Sequence, residues 1–425
     1  MMDTIYALSS GAPPAGIAVI RVSGPSAGAA LEKLSGALPQ PRRASVRRLV
    51  DSAGMVLDEA LVLWLPGPRT ATGEDTAELH LHGGRAVITA VEEALALCPG
   101  LRKAEPGEFT RRSFANGRMD LAEAEGLADL LSAETELQRR SAMALVGGAF
   151  STQVTTWRET VLQLSAHVEA VLDFSDEDDV AALPQEFIDH ASNLREELSA
   201  WLDRPKVERL KDGIRVVLAG PPNSGKSTLF NALLRDNAAI ISPVAGTTRD
   251  VLERPVALAG IPFTFVDTAG LRLDSEDAIE QIGIERAHQQ TDIADLVLWL
   301  GPEGDGPDEA WEIDAQCDVA DRRSKKSALL SLSAQTGEGM DDLLERLIDF
   351  AQGLMPKPGD VALNARQHAL IGEAYDACED IEQIEDPLLV GEQLRVVRLA
   401  FDKLIGRAST EDMLDALFGR FCIGK

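Results

Sequence analysis

The stretch that decides the fold runs from residue 214 to residue 234 and reads IRVVLAGPPNSGKSTLFNALL. Ile214–Ala219 is a short, β-branched run that predicts a buried strand, and Thr228–Leu234 has the pattern of a helix. Between them, Gly220–Ser227 has the form GxxxxGKS. Such a loop between a strand and a helix binds phosphates through backbone N–H groups at the positive end of the helix. The stretch therefore predicts an α/β nucleotide domain.

Two further segments extend the predicted phosphate site. Within the loop, Lys226 is expected to reach the β- and γ-phosphates and Ser227 to ligate Mg²⁺. A strand-like run ends at Asp267, which can hold Mg²⁺ through water, and the Gly270 amide can sense the γ-phosphate. Between the two segments, Thr248 offers a hydroxyl that completes the Mg²⁺ shell. The other residues predicted to contact the nucleotide are Asn223, Ser224, Gly225, Thr228, Thr268 and Ala269.

The base-recognition end departs from the usual pattern. Guanine-specific domains usually present Asn-Lys-x-Asp after the next strand, and the Asp pairs with the guanine N1 and N2 hydrogens. Here the sequence is Ala315-Gln316-Cys317-Asp318, which keeps Asp318 and replaces the Asn and the Lys. Ser333-Ala334-Gln335 follows another predicted strand, Ala328–Leu332, and fits the loop whose backbone contacts the guanine O6. The pattern favours guanine over adenine, and the loss of the Asn and the Lys is compatible with a reduced affinity for the guanine nucleotide.

The group that orients the attacking water is left open by the motifs. Leu271 stands where Ras-like switches carry a glutamine, and an aliphatic side chain cannot orient water. Hydrolysis must therefore recruit another group. The segment from Arg272 to Glu285 contains acids able to do so, among them Glu280, although each charge taken alone also fits a solvated position at a helix start.

Length and composition bound the class of protein. A chain of 425 residues with 45% hydrophobic and 26% charged side chains is expected to form two or three globular domains. No apolar run has the length of a membrane span, no signal pattern opens the chain, and the four cysteines are scattered, which suggests neither a zinc site nor a disulfide framework. We expect a cytoplasmic protein with no membrane association.

The net charge of −28 is unevenly distributed. Residues 1–120 hold 13 basic and 13 acidic side chains, so the whole deficit lies after Asp120. Such acidity opposes non-specific nucleic-acid binding, which depends on neutralising phosphates. Action on a nucleic acid would need a local basic surface or a partner that supplies one.

Periodicity divides the chain into segments of different character. Residues 1–118 mix short β-rich runs with Gly and Pro punctuation, which is typical of an α+β domain. Residues 119–210 and 354–425 have helical periodicity with apolar stripes. Because each stripe needs a partner surface, we predict one helical domain into which an α/β unit, residues 211–353, is inserted. The predicted fold class is multidomain α/β, and the insert is a Ras-like P-loop domain with a mixed sheet and flanking helices.

Several motifs outside the nucleotide segment point to one family. In chain order they are the stretch from Asp3 to Gly24, Thr72-Gly-Glu-Asp75, Glu78, His82-Gly-Gly84, Ala104–Thr110, Asn116–Leu121 and the final Cys422-Ile-Gly-Lys425. In these motifs, and over essentially its whole length, the chain resembles the bacterial and organellar tRNA-modification GTPases known as MnmE or TrmE.

The resemblance implies a homodimer formed through the N-terminal domain, which binds 5-formyl- or 5,10-methylene-tetrahydrofolate. The positions that match the family's folate contacts are Arg21, Glu78, Arg118 and the terminal Lys425. Some relatives carry Lys at position 118, and either cation can meet a carboxylate of the folate's glutamate tail. Without the resemblance, Arg21 and Glu78 fit an ordinary surface ion pair.

The resemblance also implies a potassium ion beside the phosphates, which takes the part of an arginine finger. Asn223 matches the phosphate-loop position that meets this cation. The remaining positions of the cation loop are Ser242, Val244 and Thr247. Glu280 matches the glutamate that orients the attacking water through a bridging water, and Arg272 is expected to help rearrange the switch. Potassium-driven pairing of two nucleotide domains across the dimer would then trigger hydrolysis.

The reaction implied by the resemblance uses GTP and a folate one-carbon unit. A carboxymethylaminomethyl group is added to C5 of the wobble uridine, U34, of certain tRNAs. The FAD-containing partner MnmG takes part, in a heterotetramer. Cys422 is either a nucleophile toward the uracil ring or a small buried thiol in a tail that docks Lys425 at the folate.

Two other functions remain as alternatives. A regulatory GTPase, which binds a partner according to its nucleotide, needs neither the folate motifs nor the Cys-x-Gly-Lys ending. Deletion of Cys422–Lys425 separates this alternative from a modifying enzyme. A ribosome-assembly GTPase is disfavoured by the strongly acidic charge.

Overall fold

The structure, a computed structural model, describes residues 3–173, 183–204, 206–236, 239–240, 253–267, 291, 293–319, 324–357, 360–408, 410–419 and 421–424. The chain divides into two compact units. The first comprises Met1–Ala128, Leu145–Arg158 and Arg398–Lys425, and the second comprises Asp129–Ala144 and Glu159–Val397. The predicted multidomain α/β fold is confirmed, whereas the predicted boundaries near residues 118, 210 and 353 stay predictions.

The first unit is built on a six-stranded sheet. Its strands are β1 (Thr4–Leu8), β2 (Ile17–Ser23), β3 (Ser45–Val50), β4 (Val56–Leu65), β5 (Thr76–His82) and β6 (Leu101–Lys103). They lie in the order β3-β4-β5-β2-β1-β6, and only the β1–β6 pair among these neighbours is parallel.

The two faces of this sheet differ in what covers them. On one face, apolar side chains such as Ile20 and Leu79 pack into a core with helices α1 (Ala27–Ser35) and α2 (Arg85–Ala96). Because successive side chains of a strand point to opposite faces, Arg21 and Glu78 lie on the other face. Part of that face is covered by Phe109 of α3 (Glu108–Ala115).

Helices of six to 25 residues follow the first sheet and return near the end of the chain. They are α4 (Leu121–Ser132), α5 (Glu136–Val146), α6 (Ala149–Asp173), α7 (Gln185–Leu202), α8 (Val207–Asp212), and, after the second sheet, α11 (Ala365–Gln383), α12 (Pro387–Leu404) and α13 (Glu411–Phe418). The predicted apolar stripe of α6 is confirmed as buried at Trp157, Val161, Leu164, Val168 and Val171. α7 packs against α11, where Arg195 Nε lies 3.1 Å from Glu382 Oε1. Over the described residues, no helix combines the length and the apolar character that a membrane crossing requires.

The second unit contains a seven-stranded sheet. Its strands are β7 (Ile214–Ala219), β8 (Ala239–Ile240), β9 (Glu253–Leu258), β10 (Ile261–Asp267), β11 (Leu296–Trp299), β12 (Trp311–Ala315) and β13 (Leu330–Leu332). The order is β13-β12-β11-β7-β10-β9-β8, parallel from β13 to β10 and antiparallel at β9 and β8. Every residue of β10 is buried, as expected for a central strand covered on both faces. The flanking helices include α9 (Lys226–Asp236) and α10 (Met340–Leu354).

The chain enters and leaves this α/β part through neighbouring segments. Lys206 forms a parallel bridge with Leu363, and the Val207 N–H donates to the Leu363 carbonyl at 2.9 Å. The Ala365 N–H donates to Glu208 Oε1 at 2.8 Å. Two segments that lie far apart in sequence, 157 residues for Glu208 and Ala365, are thus joined at this point by one backbone hydrogen bond and one side-chain hydrogen bond.

Candidate functional site

The phosphate loop connects the end of β7 to the first turn of α9. Lys226 is only 5% exposed, and its Nζ donates to the carbonyls of Gly220 and Pro221 at 2.7 Å each. The loop reverses through left-handed backbone at Asn223 (φ 62°) and Gly225 (φ 96°). This conformation is open to Asn and favours Gly. The ammonium is therefore held over the loop at the N-terminal end of α9. There its positive charge adds to the positive end of the helix dipole.

Ser227 and Asp267 meet at the carboxyl edge of the sheet. Ser227 Oγ donates to Asp267 Oδ2 at 2.7 Å, and Asp267 is 2% exposed. The parallel pairing of β7 with β10 brings the two to the same edge. A hydroxyl oxygen and a carboxylate are the hard ligands that Mg²⁺ prefers. The pair therefore fits a Mg²⁺ ion, as the sequence predicts.

The two loops predicted to contact the base lie side by side. Asp318 is exposed in a turn that is closed by the Val319 N–H, which donates to the Gln316 carbonyl at 3.0 Å. The Cys317 N–H donates to the carbonyl of Leu332, the last residue of β13, at 3.1 Å. The loop that holds Asp318 is thus anchored next to the loop that begins at residue 333.

The second of these loops is ordered by a serine turn. Ser333 is fully buried, and its Oγ accepts hydrogen bonds from the N–H groups of Gln335 at 3.3 Å and Thr336 at 3.2 Å. Ala334 is half-buried and Gln335 is exposed. The backbone at 333–335 is therefore held in place by the chain itself, as a loop that presents backbone N–H groups requires.

One contact of the phosphate loop was not anticipated from the sequence. Gln316 Nε2 donates to the Asn223 carbonyl at 3.2 Å, across 93 residues of chain. In the sequence, Gln316 is visible only as a departure from Asn-Lys-x-Asp. The signal that would have revealed the contact is the position itself, directly after β12 and two residues before Asp318.

Other predicted residues of the site are exposed or lie outside the described residues. Ser224 is half-buried, with its Oγ buried and without a hydrogen-bond partner in the described part of the chain, and Thr228 is exposed. The predicted residues outside the described ranges are Ser242, Val244, Thr247, Thr248, Thr268, Ala269, Gly270, Arg272, Glu280 and Lys425. Their roles stay predictions.

Arg21 and Glu78, predicted to contact folate, form an ion pair on the first sheet. They are direct cross-strand neighbours on β2 and β5. Arg21 Nε and Nη2 donate to Glu78 Oε1 at 3.0 and 2.9 Å, and the side chains are 26% and 17% exposed. The Arg21 guanidinium lies 5.9 Å from the centroid of the Phe109 ring. The pair is therefore half-buried, and its guanidinium is within range of a cation–π interaction with the Phe109 ring.

Arg118 lies at the loop that precedes β5. Its side chain is exposed, and its aliphatic part lies against Gly73, since a Cβ built on Gly73 would come within 3.2 Å of Arg118 Cγ. Asn116 Nδ2 donates to the Thr72 carbonyl at 2.7 Å and fixes the same loop. The guanidinium is thus displayed to solvent on an anchored segment.

The C-terminal tail is attached to the first unit on both sides of Cys422. Phe421 is buried, with its ring centroid 6.2 Å from that of Phe418. Ile423 forms an antiparallel bridge with Pro106. Gly424 is buried with φ 95°, and a Cβ on it would come 2.0 Å from the Leu8 carbonyl oxygen. Cys422 itself is exposed, so a buried structural thiol does not describe it.

A second feature that the sequence does not predict is a network of charges around Arg112 of α3. Arg112 Nη2 donates to Asp3 Oδ1 at 2.8 Å and to Glu108 Oε1 at 2.9 Å, and Arg112 Nη1 lies 3.2 Å from Glu74 Oε2. Burial raises the pKa of Glu108, but hydrogen bonds from Arg102 and Arg112 outweigh it and hold that pKa below its usual value of 4.5. The same two arginines lower the pKa of Asp3 against the opposing effect of burial.

Comparison with known proteins gives matches over the whole chain. The family profile described as the MnmE helical domain matches residues 121–422, and the profile described as the GTP-binding protein TrmE N-terminus matches residues 4–118. The tRNA modification GTPase MnmE of Erythrobacter litoralis is 64% identical over 424 residues, which cover 100% of both chains. The protein of the same name from Novosphingobium aromaticivorans is 60% identical over 437 residues, again 100% of both chains.

Among solved structures, the G domain of the T. maritima FeoB iron transporter matches with 24% identity and a TM-score of 0.24, covering 33% of this chain and 99% of that one. The family assignment rests on the two profiles and on the full-length relatives. The chain belongs to the MnmE family, also known as TrmE.

Proposed function

We propose that this protein is a GTP hydrolase that acts in tRNA modification. The observation that carries the proposal is the phosphate loop, in which Lys226 lies over the loop carbonyls and Ser227 pairs with Asp267. The relatives that match its full length carry the name tRNA modification GTPase, which supports the same activity for this chain.

In the proposed reaction, the residues of the loop bind and orient the triphosphate. Lys226 meets the β- and γ-phosphates, and the backbone N–H groups at the start of α9 surround them. Ser227 directly and Asp267 through water would hold Mg²⁺, which would offset the charge that develops on the phosphates. Asp318 accepts from the guanine edge, and the backbone at Ser333–Gln335 meets the guanine O6.

We extend the proposal to a dependence on potassium. Asn223 is exposed at the reversal of the phosphate loop, with an amide oxygen suited to a hard monovalent cation. Potassium bound there supplies positive charge next to the phosphates. Glu280 would orient the attacking water and Arg272 would rearrange the switch; both rest on the family resemblance.

The proposed target is C5 of the wobble uridine U34 of certain tRNAs, to which a carboxymethylaminomethyl group is added together with the FAD-containing partner MnmG. The half-buried pair Arg21–Glu78 and the displayed guanidinium of Arg118 suit a folate with a carboxylate tail, which would supply the one-carbon unit. A homodimer through the N-terminal domain and a cytoplasmic location belong to this proposal. Since the chain carries a net charge of −28, the partner is expected to supply basic surface for the tRNA.

The base and cation assignments are tested with the purified full-length protein. GTP is expected to displace a fluorescent guanine nucleotide at least about tenfold better than ATP, and equal competition would remove the guanine assignment. GTP hydrolysis is then measured in potassium and in sodium, with Asn223→Ala alongside and Asn193→Ala, an exposed residue of α7, as the matched control. Equal rates of GTP hydrolysis in potassium and in sodium for the unaltered protein would contradict the potassium proposal without affecting the assignment of the nucleotide site.

The modification chemistry is tested by deleting Cys422–Lys425. Under the proposal, the truncated protein hydrolyses GTP at nearly the original rate but no longer supports U34 modification in a reaction with MnmG and folate. Full modification by the truncated protein would contradict the role of the tail and favour a purely regulatory GTPase.

A further inference from the structure

The loop that follows β12 reaches across to the phosphate loop through Gln316. Its Nε2 donates to the Asn223 carbonyl at 3.2 Å. Gln316 (φ 64°) and Asn223 (φ 62°) both have left-handed backbone, so each side of the contact lies at a sharp reversal of the chain. A hydrogen bond between two such reversals restricts both, because a shift of either loop breaks it.

Gly225 makes room for the Gln316 side chain. A Cβ built on Gly225 would lie 3.3 Å from Gln316 Nε2 and 3.5 Å from its Cγ. The glutamine is therefore stretched across the last turn of the loop before Lys226, in contact with its backbone. Contact and hydrogen bond together cover the segment 223–225, whose N–H groups would face the phosphates.

The base of Gln316 is itself fixed. The Val319 N–H donates to the Gln316 carbonyl at 3.0 Å, and the neighbouring Cys317 N–H donates to the Leu332 carbonyl at 3.1 Å. The backbone of Gln316 is fixed in an anchored turn, and its side chain donates to the Asn223 carbonyl. Gln316 therefore fixes the position of the phosphate loop relative to the end of β12.

We propose that Gln316 is a positioning residue that holds the phosphate loop in its phosphate-binding conformation and, through one neutral hydrogen bond, sets the rate of nucleotide release. The inference rests on the proposed function, since it concerns the same nucleotide site. Guanine-specific domains usually carry a lysine at this place, whose charged donor forms a hydrogen bond about twice as strong as a neutral one. Because Gln316 is a neutral amide, the hydrogen bond by which it braces the phosphate loop is weaker than that of a lysine, and the release of GDP is faster than with a lysine at this position.

The test compares three substitutions of Gln316 in the full-length protein. Gln316→Ala removes the donor and is expected to speed GDP release about fivefold, the worth of one neutral hydrogen bond. Gln316→Glu keeps the length but cannot donate to the carbonyl, and it is expected to release GDP at least as fast. Gln316→Lys restores a donor with a charge and is expected to slow release about fivefold below the unaltered protein. Gln352→Ala, an exposed residue of α10, is the matched control.

Two readouts separate this role from a general loss of structure or from base recognition. ADP release is measured beside GDP release, and both are expected to change by the same factor, because the brace acts at the phosphate end. Hydrogen exchange of the peptide 220–228 in protein freed of nucleotide is expected to rise in Gln316→Ala and to fall below the level of the unaltered protein in Gln316→Lys. The melting temperature is expected to stay within about 2 °C of the control.

The outcomes are distinct. Unchanged exchange at 220–228 in Gln316→Ala would overturn the brace, even where GDP binding is normal. A loss of GDP preference over ADP without faster release of both would assign Gln316 to base recognition and overturn the inference as well. If the unaltered protein binds no guanine nucleotide, the proposed function fails, whereas the exchange experiment still decides whether the loop is held by Gln316.

Discussion

Ser227 Oγ donates a 2.7 Å hydrogen bond to Asp267 Oδ2 although 40 residues separate the two in sequence. Ser227 lies in the first turn of α9 and Asp267 ends β10, and the parallel alignment of β7 and β10 brings both to one edge of the sheet. Because Asp267 is 2% exposed, its charge needs a donor or a cation. The hydroxyl supplies the donor, and the same two oxygens are suited to Mg²⁺.

Asp267→Asn keeps the size of the side chain and removes its charge. The Mg²⁺ concentration that half-saturates GTP hydrolysis is expected to rise at least about tenfold, because a charged ligand group is lost. A Mg²⁺ titration of the hydrolysis rate measures the shift. Asp305→Asn, in an exposed loop after β11, is the control that should leave the titration unaltered. An unaltered titration for Asp267→Asn would disprove the metal assignment.

Lys226→Ala removes the ammonium that lies over the phosphate loop. Affinity for GTP and GDP is expected to fall about 100-fold, the worth of charge-assisted hydrogen bonds to phosphates. Titration with a fluorescent GDP analogue measures the loss, and circular dichroism checks that the fold remains. Lys357→Ala, at an exposed position after α10, should bind normally. A variant at Lys226 with normal affinity would show that the phosphates are held elsewhere.

Acid is expected to destabilise the first unit through Asp3 and Glu108. Their pKa values lie below the usual 3.8 and 4.5, so in acid the unfolded chain binds more protons than the folded chain. The stability that these carboxylates contribute is present above those usual values and is lost as the pH falls through the lowered ones. The full-length protein is unfolded in urea at several pH values between about pH 6 and pH 3, and hydrogen exchange of residues 4–118 monitors the unfolding. The slope of the free energy of unfolding against pH is the measured quantity. Glu108→Gln should flatten it; an equal slope in both proteins would refute the assignment.

Arg21→Ala leaves the carboxylate of Glu78 half-buried without its guanidinium. The free energy of unfolding is expected to fall by about 1–2 kcal/mol, because the desolvation of the remaining charge is no longer offset. Denaturant unfolding measures this cost, and the double variant Arg21→Ala/Glu78→Gln should recover part of it. Calorimetry with 5-formyl-tetrahydrofolate tests the proposed ligand. Undiminished folate binding by the double variant would separate the ion pair from that site.

Gly424→Ala is expected to release the C-terminal tail. A Cβ at φ 95° and 2.0 Å from the Leu8 carbonyl cannot be accommodated without moving backbone. Hydrogen exchange at residues 8–10 and 421–424 should rise, while the melting temperature changes by only a few degrees, about 2–4 °C. Gly11→Ala, where a Cβ meets nothing within 4 Å, is the control. An unaltered exchange pattern would mean that Phe421 and the bridge between Ile423 and Pro106 hold the tail without a close packing of Gly424.

The sequence predicts local structure well where one interaction dominates. The β-branched run Ile214–Ala219 is observed with the bounds predicted, since a strand buried between two layers leaves little choice of residues. The predicted strand at 328–332 is observed only as Leu330–Leu332. Leu329, which directly precedes the observed strand, and Ser331, its middle residue, are exposed, so burial does little to define where the strand begins.

The sequence does not predict contacts that depend on topology. Gln316 and Asn223 lie 93 residues apart, and Arg112 and Asp3 lie 109 apart, so no spacing rule relates them. Both contacts arise because parallel strands align two loops, or because a helix crosses a strand end. The motif residues Lys226, Ser227 and Asp267 could be predicted because the chemistry of phosphate and Mg²⁺ restricts which residue types serve there.

The bridge between Lys206 and Leu363 has a consequence for engineering the protein. Because the two crossing points are paired neighbours, the stretch between them is a loop closed at its own base. A link of about three residues would span the gap left by its removal. A similar link would join the two ends of the removed segment, and new termini opened at another loop would then give a circular permutant. Val207 and Leu210 pack into the core of the second sheet, so α8 belongs to the excised piece. We therefore expect that the nucleotide part of this chain can be exchanged as one segment, with its contacts to Leu137 and Gln138 of α5 kept in the replacement.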